Sequence, residues 1–157
     1  MDIRTAGADD IPRLVSLLNA AFAMERAFID RDRIYPDEVV NYMKAGTYFV
    51  VDGDDGALAS CIYLEQRGDR MYLGMLAVAP SRQGTGLGKT MMTFAGRHAA
   101  SSGCHALDIR VVNLRTELPP FYRKLGFVDH GTEPLDDPKL LKPAHFVHMT
   151  KSVGEGR

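Results

Sequence analysis

The spacing of apolar and polar residues divides the chain into helices and strands. Apolar side chains recur every three to four residues in some stretches and cluster or alternate over short runs in others. The first kind of pattern predicts helices at about 11–22, 36–44, 87–102 and 116–125. The second kind predicts strands at about 2–6, 47–52, 58–65, 71–78, 106–112, 127–130 and 145–150.

The order of these elements predicts an α/β protein with a mixed sheet. Turn sequences at Gly53–Gly56 and Gln66–Arg70 separate the second, third and fourth strands, which predicts an antiparallel meander. Strands alternate with helices only in the second half, so a doubly wound parallel sheet is not expected. Residues 1–151 are predicted to form one domain. Gly131–Pro143 is predicted to be a loop, and Ser152–Arg157 a disordered tail.

Composition and charge narrow the class of protein. The 157 residues are 45% hydrophobic and 25% charged, as expected for one globular domain. The 19 Lys and Arg residues nearly balance the 20 Asp and Glu residues, which argues against a nucleic-acid-binding protein. The chain shows neither an apolar run of membrane-spanning length nor a signal-peptide pattern, so we expect a cytoplasmic protein without membrane contact. Cys61 and Cys104 are predicted to be small buried residues.

A glycine cluster after the predicted fourth strand indicates an anion site. Gly84, Gly86 and Gly88 stand between this strand and the next predicted helix. At such a junction, backbone N–H groups point outward at the positive end of the helix dipole. Glycine leaves room for phosphate oxygens to approach the main chain. A tight turn without a ligand is the structural alternative.

Two nucleotide-binding motifs fit this cluster incompletely. The dinucleotide pattern G-x-G-x-x-G fails because Lys89 stands at its sixth position. The end of the phosphate-loop pattern G-x-x-x-x-G-K-[ST] fits, but Gln83 stands where its first glycine is required. The chain after Thr90 is also short for a nucleotide-hydrolase core. A phosphate-loop-like nucleotide hydrolase therefore remains an alternative.

A third pattern, Gln/Arg-x-x-Gly-x-Gly/Ala, matches Gln83 to Gly88, and here the chain resembles the GNAT-type N-acetyltransferases. Leu76–Pro80 resembles the family's fourth strand, and Asn113 with Phe121–Phe127 resembles its second motif. The resemblance covers nearly the whole chain, from Ile3 to Met149. It implies a largely antiparallel sheet that is flanked by helices and splayed open between the fourth and fifth strands, with acyl-CoA in the cleft.

The resemblance implies acetyl-CoA as co-substrate and no metal. The pyrophosphate would bind backbone amides from Gln83 to Lys89, with charge from Lys89 or Arg82. The pantetheine arm would pair with the main chain of the fourth strand and with Asn113. The implied cofactor-binding residues are Met75, Leu76, Ala77, Val78, Arg82, Gln83, Gly84, Thr85, Gly86, Leu87, Gly88, Lys89, Asn113 and Phe121.

The implied reaction is direct attack of a primary amine on the thioester in a ternary complex. Tyr122 occupies the family's tyrosine position and would protonate the departing thiolate. A backbone N–H at Leu76 or Ala77 would stabilise the oxyanion. Many family members carry a glutamate near the position of Gly74, so the base is open here. Glu25 is the first candidate, because the segment after the first helix borders the acceptor site in related folds. The other candidates are Glu65, Glu117, His145, His148 and a water chain.

The acceptor is predicted to be a small-molecule or peptide amine. The resemblance places its pocket at Met24–Tyr35 and Gly131–Pro143, which carry charges of both signs. These charges do not choose between a small amine, an amino acid and a protein N-terminus. Monomer and homodimer are both compatible with the sequence. A non-catalytic acyl-CoA-binding or sensing domain is an alternative supported by Gly74.

Overall fold

The computed structural model describes residues 2–154, and a seven-stranded mixed sheet forms its centre. The strands are β1 (Ile3–Thr5), β2 (Thr47–Asp52), β3 (Leu58–Arg67), β4 (Arg70–Val78), β5 (Ala106–Val112), β6 (Val128–Pro134) and β7 (His145–Ser152). The α-helices are α1 (Ile11–Ala21), α2 (Pro36–Ala45), α3 (Leu87–Ser101) and α4 (Leu118–Lys124). These elements confirm the predicted order, and β2, β3 and β4 form the predicted meander.

The strand order is β1-β2-β3-β4-β5-β7-β6, and β4 and β5 form its parallel pair. The other neighbouring strands pair antiparallel. Apolar side chains on the two faces form separate cores. α3 and α4 pack on one face through residues such as Met91 and Tyr122, and α1 and α2 cover the other through Leu14 and Val39. Both cysteines are free and buried, as predicted.

The strands β4 and β5 separate after a short paired stretch. Arg70–Tyr72 pairs with Ala106–Asp108, and no further pairing joins the two strands within residues 2–154. Met75 has a positive φ of 52° and lies where the β3–β4 register shifts by one residue. The extra residue forms a β-bulge, which bends β4 away from β5. The predicted splay between the fourth and fifth strands is confirmed.

The loop predicted at 131–143 begins later than expected. β6 continues to Pro134, and Thr132–Pro134 pairs antiparallel with His145–Val147. This end of β6 is mostly exposed and polar, so it shows no apolar alternation for sequence analysis to detect. Its extended conformation comes from pairing with β7.

The predicted tail is in part attached to the sheet. Ser152 is the last residue of β7 and pairs with Ala106, and the Val153 N–H donates to the carbonyl of His105 at 2.9 Å. Disorder from residue 152 was therefore a wrong prediction for these two residues, because β5 supplies their pairing partners. Residues 155–157 lie outside the described part of the chain.

Asp10 links β1 to α1 through a buried carboxylate. It accepts hydrogen bonds from Arg4 Nη1 and Nη2 at 2.9 and 2.8 Å, from the Gly7 N–H at 2.8 Å, and from Arg13. The Arg4 hydrogen bonds, assisted by Gly7 and Arg13, hold the pKa of Asp10 well below its usual range.

Replacing Asp10 should therefore weaken the fold in a pH-dependent way. Asp10→Asn is expected to lower the free energy of unfolding at pH 7 by about 1–2 kcal/mol, since an amide cannot replace the charged acceptor. Because the pKa of Asp10 is lower in the folded than in the unfolded protein, this contribution is lost as pH falls below about 4. Urea unfolding between pH 7 and pH 3 should show a shallower acid dependence for this variant. Asp9→Asn, at an exposed neighbour, is the control, and equal slopes for wild type and Asp10→Asn would contradict the assignment.

Candidate functional site

A cavity of about 780 Å³ lies where β4 and β5 separate. β4, β5, the glycine loop (residues 83–88), α4 and the segment after α1 form its walls. Its volume falls within the range of small-molecule sites, about 300–1,000 Å³. The predicted cofactor-binding residues line this cavity together with Tyr122 and Glu25, except for Thr85 and Asn113.

The glycine loop presents unpaired amides to the cavity. Gly84 and Gly86 adopt φ values of 82° and 85°, which L residues rarely adopt. Within residues 2–154, the N–H groups of Gly84, Thr85 and Gly86 donate to no protein acceptor. A Cβ built on Gly84 or Gly86 would meet no atom within 4 Å, so open space adjoins these amides. Gly86 is also the N-cap of α3, which adds the positive end of a helix dipole. This geometry fits an anion.

The charged and polar side chains near the loop differ in whether they are already bonded to other protein groups. Thr85 Oγ1 donates to the Arg82 carbonyl at 2.6 Å, which turns this hydroxyl onto the loop itself. Arg82 Nη2 donates to Asp54 at 2.6 Å. Lys89 is exposed and forms no ion pair with the described residues, so its charge is available at the mouth of the cavity.

The outer edge of β4 faces the gap. The Ala79 N–H donates to the Ala59 carbonyl on β3 at 2.9 Å. Because N–H groups of successive strand residues point to alternate sides, those of Val78 and Leu76 are directed toward the gap. An extended chain in the cavity would meet these groups as it would meet those of a neighbouring strand.

Asn113 lies away from the cavity lining. Its N–H donates to the His145 carbonyl at 2.9 Å, and its side-chain Oδ1 accepts from the His145 N–H at 2.8 Å. This amide therefore fastens the end of β5 to β7. The structure does not bring it together with the other predicted cofactor-binding residues.

Tyr122 lies in the cavity wall on α4 and is 8% exposed. Its ring packs edge-on against Phe121 and Phe127 at centroid distances of 5.0 and 5.6 Å. Its hydroxyl forms no hydrogen bond within residues 2–154. Burial raises the pKa of Tyr122 to about 12, with Arg115 opposing the increase. The hydroxyl therefore stays protonated at neutral pH and has a free proton to donate.

Arg115 connects two elements of the cavity wall and was not identified from the sequence. It is 9% exposed, its Nη1 donates to Glu25 Oε2 at 2.8 Å, and its Nε donates to Glu117 Oε2 at 2.9 Å. Arg33 Nε lies 3.7 Å from the other oxygen of Glu25. Glu25 and Arg115 are 90 positions apart. Neither residue belongs to a local pattern, so only the folded chain reveals the pair.

The candidate bases are paired with other groups or lie outside the cavity lining. Glu25 and Glu117 line the cavity, and both bind Arg115. Glu65 lies outside it, where the Arg67 hydrogen bond holds its pKa below the usual range. His148 contacts Glu133 at 2.8 Å beside a second cavity, and exposed His145 lines neither cavity.

The Tyr72 ring occupies the space next to Gly74. A Cβ built on Gly74 would lie 3.0 Å from the Tyr72 ring and hydroxyl, a distance that requires one of them to move. Tyr72 itself lines the cavity. A larger residue at position 74 would therefore displace this phenol.

Comparisons with known proteins identify the same type of domain. Residues 18–152 match the family model described as acetyltransferase (GNAT) domain. Among curated proteins, streptothricin acetyltransferase from Streptomyces lavendulae is 30% identical over 87 residues, which cover 54% of this chain. The match spans 46% of that protein's length.

Solved structures with low sequence identity share the fold. The ribosomal-protein-S18-alanine N-acetyltransferase from Escherichia coli superimposes with a TM-score of 0.81 at 17% identity, over 98% of this chain and 94% of that one. The phosphinothricin acetyltransferase from Sinorhizobium meliloti, solved in complex with AcCoA, superimposes with a TM-score of 0.77 at 16% identity, over 98% of this chain and 89% of that one. Within residues 2–154, no helix has the length and apolar character needed to span a membrane.

Proposed function

The chain belongs to the acetyltransferase (GNAT) domain family, and from this premise we propose that it transfers an acetyl group from acetyl-CoA to a primary amine. One observation carries the proposal. A single cavity combines unpaired loop amides, an open strand edge and the unbonded hydroxyl of Tyr122. The proposal treats residues 1–151 as one domain. The expected cytoplasmic location stays a prediction.

The residues of the cavity suit the parts of acetyl-CoA. The amides at Gly84–Gly86 suit a pyrophosphate, and Lys89 adds a positive charge. The edge of Met75–Val78 suits the extended pantetheine arm. When bound, acetyl-CoA would supply the acetyl group in activated form, as a thioester. For Asn113, only the side-chain N–H could still donate to this arm, since its oxygen is bonded to His145.

The main chain and Tyr122 would act on the reacting groups. The sequence left Leu76 and Ala77 as alternative oxyanion donors. N–H groups along β4 point to alternate sides, and that of Ala79 points to β3. The N–H of Leu76 is therefore directed toward the gap, which favours Leu76 as the donor. The Tyr122 hydroxyl would donate a hydrogen bond to the departing sulfur and share its proton as negative charge develops there, because its pKa of about 12 keeps that proton in place at neutral pH. Solvent would supply the proton that completes the thiol and leaves the phenol protonated.

The ion pairs of Glu25 argue for water as the first acceptor of the amine proton. A proton on Glu25 would weaken its bonds to Arg115 and Arg33 within a mostly buried cluster. We therefore propose that Glu25 fixes the two arginines. A water molecule would then carry the amine proton toward solvent.

Ligand-induced thermal stabilisation tests the proposal. Acetyl-CoA and CoA are expected to raise the Tm, since a ligand at 100 times its Kd stabilises the native state by about 2.7 kcal/mol. ATP with magnesium should leave the Tm unchanged. A shift with ATP–magnesium and none with CoA would favour the nucleotide hydrolase. Release of CoA thiol across a panel of amines then separates an enzyme from an acyl-CoA sensor, which would show the shift without turnover.

Substitution in the glycine loop should weaken acetyl-CoA binding. Gly86→Ala is expected to raise the Kd for acetyl-CoA at least tenfold, because a side chain there strains a backbone with positive φ and enters the space beside the amides. Gly103→Ala is the matched control, since Gly103 has a φ of 83° after the other end of α3. Both variants should lose similar stability. An equal effect of both on the Kd would remove the loop from the binding site.

A further inference from the structure

Arg33 is a cavity-lining arginine without a hydrogen bond. Its guanidinium lies over the Phe22 ring at 4.8 Å, and its Nε is shielded from solvent. Within residues 2–154, the Arg33 side chain donates no hydrogen bond, and Nε lies 3.7 Å from Glu25 Oε1. The terminal nitrogens of Arg33 are not shielded in this way, and the side chain is 34% exposed, so a ligand in the cavity can reach them as hydrogen-bond donors.

The acidic side chains that line the same cavity already have partners. Glu25 and Glu117 accept from Arg115, and Glu38 accepts from Arg31 at 2.5 Å. The remaining two pair outside the cavity wall: Asp32 accepts from Arg26 at 2.7 Å, and Asp137 from the Lys139 N–H at 2.8 Å. A cationic group of an acceptor would therefore have to displace an arginine or an amide, whereas an anionic group could accept hydrogen bonds that Arg33 gives to no residue within 2–154, although its charge is already balanced in part by Glu25 at 3.7 Å.

A second arginine, Arg110, lines the same cavity. Burial raises the pKa of the Tyr42 hydroxyl, and the charges of Arg33 and Arg110 oppose this increase. Arg110 stacks on Phe146 at 4.1 Å and lies 3.5 Å from Glu133. Tyr42, Arg33 and Arg110 all line the cavity. The cavity wall therefore carries a second guanidinium and a phenol that can donate hydrogen bonds to an anion, with Glu133 beside Arg110.

We propose that the acceptor is a free amino acid whose carboxylate binds Arg33. A guanidinium can donate two parallel hydrogen bonds to a carboxylate, which fixes both its position and its orientation. In a free amino acid the carboxylate is covalently close to the amine, so one small cavity can hold both groups. The N-terminus of a protein has no such carboxylate unless its side chain provides one. This inference rests on the proposed acetyltransferase function and names its acceptor class.

The test compares free amino acids with the corresponding amino-acid amides, with CoA thiol release at saturating acetyl-CoA as the readout. Wild type should show a kcat/KM at least tenfold higher for its best acid than for the matching amide. In Arg33→Gln, this acid-to-amide ratio should fall at least tenfold, chiefly through KM for the acid. The acid-to-amide ratio of Arg33→Lys should lie between those of wild type and Arg33→Gln. Because the amine pKa differs between acid and amide, variant-to-wild-type ratios are compared rather than raw rates.

The control variant is Arg97→Gln, which removes an exposed arginine that lies outside the cavity lining and should keep the wild-type ratio. Equal losses for acids and amides in Arg33→Gln would overturn the inference. So would acetylation of amides or protein N-termini in preference to free acids, although the acetyltransferase proposal would then stand. A protein that is stabilised by acetyl-CoA but acetylates no amino acid also overturns it. Absence of any acetyl-CoA binding overturns both.

Discussion

The Tyr122→Phe variant is expected to lose at least tenfold in kcat while its Kd for acetyl-CoA changes little. General acid catalysis contributes about 10²- to 10⁴-fold to rates, and the substitution removes the hydroxyl proton alone. The ring stays in place, because its edge-on contacts with Phe121 and Phe127 do not involve the hydroxyl. An interaction needed only as the thioester bond breaks should affect kcat and not cofactor binding.

The pH dependence of wild type provides an independent check on Tyr122. Its pKa of about 12 predicts that loss of the Tyr122 proton does not lower kcat anywhere between pH 6 and pH 10. Single-turnover thiol release over this range measures the step directly. A descending limb that begins near pH 9 and disappears in Tyr122→Phe would show that the folded protein ionises this phenol more easily than its burial predicts.

Tyr48→Phe is the matched control for this experiment. Tyr48 is also a buried tyrosine whose hydroxyl has no partner among residues 2–154, but it lies in the core under α2 and not in the cavity wall. The kcat of Tyr48→Phe should equal that of wild type. Wild-type turnover in Tyr122→Phe would remove Tyr122 from the mechanism, and an equal loss in both variants would indicate a general effect of losing a buried hydroxyl.

Arg115→Met is expected to lower the free energy of unfolding by about 3–5 kcal/mol. Both side chains of the Arg115–Glu25 pair are about one-tenth exposed, so removing the arginine leaves the Glu25 carboxylate largely desolvated. Arg33 at 3.7 Å can replace part of the lost interaction, which places the expected effect at the lower end of this range. Urea denaturation at pH 7 measures the loss, with an unchanged m-value if only stability changes.

A double-mutant cycle separates the ion pair from other roles of Arg115. Replacing both partners by apolar residues, as Glu25→Leu with Arg115→Met, should lower the free energy of unfolding by less than the sum of the two single replacements. Each single replacement leaves one charge of the pair buried without its partner, whereas the double variant removes both charges. Arg123→Met is the control, since the Arg123–Asp129 pair is exposed and should contribute little. Additive losses in the cycle would mean that the two residues act independently.

Local sequence patterns are enough to predict most elements of the fold. Helix and strand positions depend on local periodicity, and the predicted bounds of α2 and β5 agree with the structure to within a residue. The glycine loop is also recognisable from local sequence, because a strand-to-helix turn that exposes its amides needs residues that tolerate positive φ, and glycine does so at least cost.

Other features of the fold and the site depend on contacts between segments that are distant along the chain. The bulge at Met75 opens the sheet, although no residue type there indicates a positive φ. The end of β6 is extended because β7 pairs with it, and Asn113 is held by β7 away from the cavity. The pairing of charged residues in the acceptor region also depends on contacts between distant segments. Charges of both signs in the segment after α1 give no preference in the sequence. Folding pairs Glu25 with Arg115 and places Arg33 3.7 Å from Glu25 without a hydrogen bond to any residue in 2–154, since ion pairing depends on distance in space and not on separation along the chain.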